Sequence, residues 1–234
     1  MLEEFNHLYI ARKQLHLLNW QSVLPTFQIL NKSYKEACLR TSVGFNLFEV
    51  QGLKEVQHSR IVGNLLDPNG SHKQGCLFLF EFLKKLAIKD IDAGKWEVTI
   101  ETSRLDIHVF RRNPYSSIII ENKSNEAVDQ LNQLYRYYYN HIHVPARSMR
   151  LCENADRFRV VYLLPRKSKA ISSHSIDRPS EYNVDAPETV PAHLLNIMSF
   201  DEEISFWIDS CLNLLHAENH TMRMYLEHYK EYFK

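Results

Sequence analysis

Asp106, Glu121 and Lys123 are residue types that together can hold a divalent cation and act on a phosphoryl group. Asp106 sits in an apolar-alternating run, LDIHVF, while Glu121 and Lys123 close a β-branched run, SIIIENK. Between the runs stands Arg112-Asn113-Pro114, a turn signal, so the pattern predicts a hairpin. With the turn centred between Asn113 and Pro114, residue 110 faces 117, residue 108 faces 119, and Asp106 faces Glu121. Side chains alternate with period two, which puts Lys123 on the face of Glu121 and sends Leu105, Ile107, Ile118 and Ile120 to the other.

Opposed residues on one face of such a pair have Cβ atoms about 4.5 to 5.5 Å apart, and like charges there destabilise the sheet. A magnesium or manganese ion bridging the carboxylates would offset that repulsion, since these ions prefer oxygen ligands. Lys123 would orient a water or stabilise charge growing on a phosphate. The plainer reading is a solvated sheet face with Lys123 as a salt-bridge partner. The register across the hairpin and the unbroken Ile118-Ile119-Ile120 run favour the metal site.

The elements that must position these groups are legible on either side. Leu47 to Val50 leads through Gly52 to a helix from about Lys54 to Leu66, on which Glu55, His58, Ser59 and Val62 share one face. DPNGSH at 67–72 combines a proline, a glycine and a cap-forming serine, and predicts a sharp turn with Ser71 opening the next, buried helix, which runs to about Ile88. His72 either holds that turn or contacts a phosphate. Residues from about Glu97 to Thr102 read as the strand before the hairpin. A helix from about Asn125 to Asn140 places Asp129, Gln133 and Tyr137 in one stripe, with Leu131, Leu134, Tyr135 and Tyr138 opposite as core. FRVVYLL at 158–164 suits the centre of a sheet. Residues 165–191, rich in proline and polar residues, are expected to be a mobile loop whose Arg166, Lys167 and Lys169 fold over nucleic acid. A last strand is expected over 194–198, then a helix capped by Ser199 with Glu202, then a final helix whose Met222, Leu226, Tyr229 and Phe233 form a core or dimer stripe.

Taken together, Asp106, Glu121-Asn122-Lys123 and a following helix with Gln133-x-x-x-Tyr137 resemble the PD-(D/E)XK nuclease superfamily, in its branch with a Gln-x-x-x-Tyr helix. The stretch 55–75, the RLDI and IIIENK strands, and DQLNQLYRYY resemble a bacterial family within it, over roughly residues 45–215. One departure is Leu105 where the motif has proline. The resemblance implies an α/β, restriction-endonuclease-like core with a mixed central β-sheet flanked by helices, and a nuclease that hydrolyses phosphodiester bonds, with DNA the expected polymer and one or two Mg2+ or Mn2+ ions as cofactor. Asp106, Glu121 and the Asn122 carbonyl would hold metal, with Glu55 as a further carboxylate and Glu49 its competitor. Lys123 would position or activate water, and Gln133 would support the site. His58, Ser59, His72, Tyr137 and Arg104 are the candidate nucleic-acid contacts, against a plainer role for His58 and Ser59 in bridging buried backbone groups. The alternative is a catalytically silent module of the same fold that binds nucleic acid or a protein partner.

The bounds agree with such an enzyme. At 234 residues and 44% hydrophobic, the chain can bury the core of a single domain, with 1–44 as a helical cap, 45–215 as nuclease core and 216–234 as a C-terminal helix. The cap, whose segments 2–20 and 22–39 read as helices, suits packing or a homodimer. Lys plus Arg and Asp plus Glu are 28 each, so no global field steers the chain to nucleic acid. From Arg104 to Lys169, however, 12 basic residues stand against 6 acidic ones, a hint of a phosphate-facing surface. Cys38, Cys76, Cys152 and Cys211 lack zinc spacing and suit reduced, mostly buried thiols in a cytoplasmic protein. No basic-then-apolar leader and no long apolar run argue for secretion or a membrane span.

Overall fold

The structure, a computed structural model, describes residue 20 and residues 23–40, 42, 44–102, 104–125, 128–167 and 170–233. The chain divides into two compact units, Met1–Asn46 and Leu47–Lys234. In the first, helix α1 covers 23–40, with Pro25 in its opening turn where the missing N–H costs nothing. Its Val23, Phe27, Leu30 and Tyr34 are exposed. The helix expected over 2–20 lies outside the described residues, apart from Trp20.

The second unit is a mixed five-stranded sheet, order β1-β2-β3-β4-β5, with helices on both faces. β1 (Trp96–Thr102), β2 (Leu105–Arg112) and β3 (Tyr115–Asn122) form an antiparallel meander; β4 (Phe158–Leu164) and β5 (Leu195–Ser199) continue parallel to β3. The hairpin has the register read from its turn: Phe110 pairs with Ser117, His108 with Ile119 and Ile107 with Ile120. β3 and β4 are apolar without alternation because each is covered twice. Ile118, Ile120, Val161 and Leu163 pack under α3 (Glu55–Leu66), α4 (Leu77–Lys85), α8 (Ser205–Leu214) and α9 (His220–Glu231). Ile119, Val160, Tyr162 and Leu164 pack on the other face against α5 (Gln133–Tyr138), the π-helical turn Tyr139–His143 that follows it and α6 (Val144–Ser148). Leu105 belongs with Ile119 rather than with Ile107. Arg104 before it takes φ 68°, a left-handed residue in the short connection from β1 to β2.

α3 reaches the sheet through Gly63, where an added Cβ would lie 2.5 Å from Ile100 Cγ1 on β1. Only glycine lets the helix press that close.

Several element boundaries differ from the sequence reading, each for a local reason. α5 begins at Gln133, not Asn125, because Asn132 adopts φ 53° and is tied to the His174 and Asp177 carbonyls. Asp129 therefore leaves the Gln133 stripe and receives the Tyr162 hydroxyl and the Ser172 amide, at 2.5 and 3.0 Å. Leu131, expected in the core, is 64% exposed. Ser71 donates to Asn64 Oδ1 instead of capping, and α4 starts at Leu77. Ser199 meets Glu203, not Glu202, because a π-helical turn at Phe200–Ile204 adds one residue to the first turn. The segment after β4 is fastened rather than loose. It contains α7 (Ser173–Ile176) and an Asp177–Thr189 bridge, buries Ala186 and Val190, and uses Arg178 to hold the Val184 and Ala186 carbonyls. Lys167 pairs with Glu202 and Glu203, and Lys169 lies outside the described residues. The final stripe is core: Leu226 and Tyr229 are buried, with Met222 and Phe233 packed against the same cluster.

Candidate active site

The hairpin ladder stops at Ile107–Ile120, one position short of Asp106 and Glu121. There the Asn122 amide donates to Asp106 Oδ2 at 2.6 Å, where a continuing ladder would offer a backbone carbonyl. Asp106 is thereby aimed at the end of β3. The Lys123 amide bonds to the Leu163 carbonyl at 2.7 Å, so β4 carries β3 one residue further.

Alternation at this end sends successive side chains to opposite layers. Asn122 turns to α3, where its amide donates to the Glu55 carbonyl at 2.9 Å and to Ser59 Oγ at 3.0 Å, while Ser59 donates to the Glu55 carbonyl at 3.1 Å. These bonds lock the first turn of α3, and with it Glu55, to β3. Glu121 and Lys123 turn to the other layer. Lys123 Nζ lies 2.7 Å from Glu121 Oε1 and donates to Gln133 Oε1 at 3.3 Å. Gln133 donates in turn to the Tyr137 hydroxyl at 3.0 Å, and Tyr137 donates to the Arg104 carbonyl. A hydrogen-bonded line thus runs from Lys123 through α5 to the turn before β2.

Glu121 and Lys123 are 2% and 3% exposed. Burial pushes the Glu121 carboxyl up to about 8, helped by the charge of Asp106, and pushes Asp106 up to about 6, with Glu101 and Glu55 adding to it. Glu55 is raised by burial as well, and also by Glu101, with Lys123 and the Asn125 amide acting against them. Burial pulls the Lys123 ammonium down, but its carboxylate neighbours outweigh that and raise it. A single ammonium is shared among several carboxyl groups and cannot keep them all ionised. The buried Glu55 Oε2 and Glu121 Oε2 have no hydrogen-bond partner among the described residues.

Of the expected site residues, Asp106, Glu121, Asn122, Lys123, Glu55, Gln133 and Tyr137 are brought together. Glu49 is exposed on α2 (Leu47–Gln51), which makes Glu55 the carboxylate that joins them. Ser59 and Tyr137 serve as struts, and Arg104 contributes its carbonyl. His58 is buried among Phe200, Tyr229, Tyr232 and Phe233, bonded to the Tyr229 hydroxyl at 3.0 Å, and pulled down to about 4 by burial. It belongs to the core under α9. His72 spends both ring nitrogens on the 67–74 turn, on the Asp67 carbonyl and the Gln74 amide. Within the basic excess of the region, Arg111 and Arg159 are buried and bonded to backbone carbonyls and Lys123 is buried against Glu121, while Arg104, Arg112, Arg147, Arg150, Arg166 and Lys167 are exposed. No motif or spacing singles out Glu101, yet its charge acts on both Asp106 and Glu55. The short connection from Thr102 to Leu105 was the available signal, because it fixes the register of β1 on β2.

A mixed sheet with helices on both faces and this acidic group at the end of its central hairpin define a restriction-endonuclease-like α/β protein. The chain belongs to the PD-(D/E)XK nuclease superfamily: the model of that family matches residues 45–231, from the segment before α2 to the end of α9. Comparisons with curated proteins and with solved structures gave no match. The four cysteines are free as expected, but only Cys211 is buried and Cys152 is exposed. Among the described residues, no helix is long and apolar enough to cross a membrane.

Proposed function

We propose that this protein is a Mg2+- or Mn2+-dependent nuclease that hydrolyses phosphodiester bonds in DNA, with Asp106, Glu121 and Lys123 at its centre. The observation that carries the reading is the pair of buried carboxylate oxygens without partners among the described residues, Glu121 Oε2 and Glu55 Oε2, beside Asp106. Burying an ionised group short of its hydrogen bonds costs stability, and a hard divalent cation is the partner that oxygen donors of this kind suit. Among the described residues no three His, Cys, Asp or Glu side chains are gathered tightly enough to grip an ion as they stand. The donor chemistry nevertheless fits, and Asp106, Glu121, Glu55 and the Asn122 carbonyl are the groups that would hold it. When bound, the ion supplies charge stabilisation at phosphorus and at the leaving oxygen.

The chain's own residues do the rest. Lys123, kept charged by Glu121 and oriented by Gln133, holds the attacking water or the phosphoryl oxygen. Tyr137 fixes Gln133, and Asn122 keeps Glu55 in reach. Burial of the lysine and the glutamate excludes competing water.

The test is cleavage of linear, circular and single-stranded DNA, and of RNA, with Mn2+ or Mg2+, comparing the full chain with Asp106→Ala and Glu121→Gln prepared in parallel. Metal-dependent cutting lost in both variants is expected, with the spectrum of substrates cut giving strand preference. Equal cutting by the variants overturns the assignment, and no cutting together with no Mn2+ binding favours a catalytically silent module.

A further inference from the structure

The β1–β2 register flanks one unpaired position. Ile100 pairs with Ile107 and Thr102 with Leu105, so Glu101 stands across from Asp106. The β2–β3 ladder ends at Ile107–Ile120, and carrying its register one position on puts Asp106 opposite Glu121. The two registers, carried over these unpaired positions, line three carboxylates up across three adjacent strands, and the charges of Glu101 and of Glu55 on α3 both act on Asp106. Like charges directly opposed destabilise a sheet, and this row places two such oppositions side by side. Lys123 is the ammonium that acts on all three of Glu55, Asp106 and Glu121.

Glu101 is also the residue where the ladder breaks. It adopts φ 51° within a strand, a left-handed conformation uncommon for a residue with a side chain. Unlike Glu121 it is exposed, so the row runs from a solvent-facing carboxylate to a buried one. The buried end, Glu121 at 2% exposure, is the one left with an unpartnered oxygen.

Building on the proposed nuclease reading, we infer that Glu101 is a further cation-binding carboxylate of this site: the solvent-side member of a row, with Asp106 and Glu121, that takes up a divalent metal. Hard divalent ions are tuned in affinity by the number of charged oxygen ligands, and Glu101 adds a charged oxygen ligand at the open end.

The experiment is Mn2+ titration by calorimetry on the full chain, alongside thermal unfolding without metal, for the wild type, Glu101→Gln, Glu101→Gly and Asp106→Asn. Both Glu101 variants are expected to weaken Mn2+ binding about tenfold or more. Without metal, both should unfold no earlier than the wild type. Glu101→Gly should unfold later, because glycine takes the left-handed backbone freely while removing the charge. Wild-type Mn2+ affinity in both Glu101 variants, with binding lost in Asp106→Asn, overturns this inference and leaves the nuclease reading standing. Wild-type affinity in all three overturns both. Early unfolding of both Glu101 variants without metal identifies Glu101 as a structural residue and also overturns the inference.

Discussion

The β2–β3 hairpin buries an ionisable side chain at each end, and the two ends treat it oppositely. Near the turn, Arg111 is wholly buried and fully engaged. It donates to Ser116 Oγ at 3.0 Å, to the Ala93 and Lys89 carbonyls at 2.7 and 3.3 Å, and to the Asp90 carbonyl, and it lies 4.6 Å from the Trp96 ring centroid. At the open end, Glu121 is almost as buried but has one oxygen on Lys123 and the other on nothing described, with Asp106 opposing it. A buried ionisable group whose bonds are complete is architecture; one left short and crowded by other carboxyls is held for something that has yet to arrive.

The largest effect should come from the satisfied end. Arg111→Ala would strand the Asp90, Ala93 and Lys89 carbonyls and remove the cover from Trp96, at a cost on the order of 3 to 5 kcal/mol. Urea unfolding would measure it, and any loss of cleavage should track the unfolded fraction. A variant that keeps its stability would show that the guanidinium does not hold this end.

Asn122→Ala should separate the two ends differently. It removes the bonds to the Glu55 carbonyl and to Ser59, costing about 1 to 3 kcal/mol, yet cleavage should fall by about 100-fold because Glu55 is no longer held to β3. Turnover on fully folded protein checks this. A decline no greater than the loss of folded protein would make Asn122 a packing residue only.

The open end also predicts a pH dependence. The Glu121 carboxyl is raised from its ordinary 4.5 to about 8, so the folded state binds more protons than the unfolded state between those values. Metal-free stability should therefore fall as pH rises through that window, by at most about 1.4 kcal/mol per pH unit from this one group. Glu121→Gln should flatten the decline, and Mn2+ should oppose it by favouring the ionised carboxylates. Unfolding temperatures from pH 5 to 9 give the slope, and identical slopes in wild type and variant would count against the raised carboxyl.

The smallest effect expected is that of Tyr137→Phe. It removes the hydroxyl that receives Gln133 and donates to the Arg104 carbonyl, for about 1 kcal/mol of stability. Cleavage should drop modestly, with recovery at higher pH absent, since the hydroxyl orients Gln133 and exchanges no proton. A loss as deep as that of Asp106→Ala would move Tyr137 from strut to participant.

Much of this was legible in the chain. The hairpin register followed from Asn113-Pro114 and period-two alternation, and placed Asp106 opposite Glu121 without coordinates. Ser59 and Glu55 were on one helical face by spacing alone. Illegible were the points where one residue departs from regular backbone. Asn132 at φ 53° moved the start of α5, and the turn at Phe200–Ile204 changed the partner of Ser199. Such departures are decided by contacts far along the chain, as Asn132 shows in bonding to His174 and Asp177.

What the sequence by itself determined is the central hairpin, its acidic register and the doubly covered strands, because these depend on local periodicity and a turn. Tertiary structure alone decided which histidines are core, which basic residues are internal, and that Glu55 rather than Glu49 meets the hairpin. It alone showed that Glu121 has an oxygen with no partner among the described residues. Burial and hydrogen-bond satisfaction are properties of the packed whole, set by neighbours that the local sequence does not name.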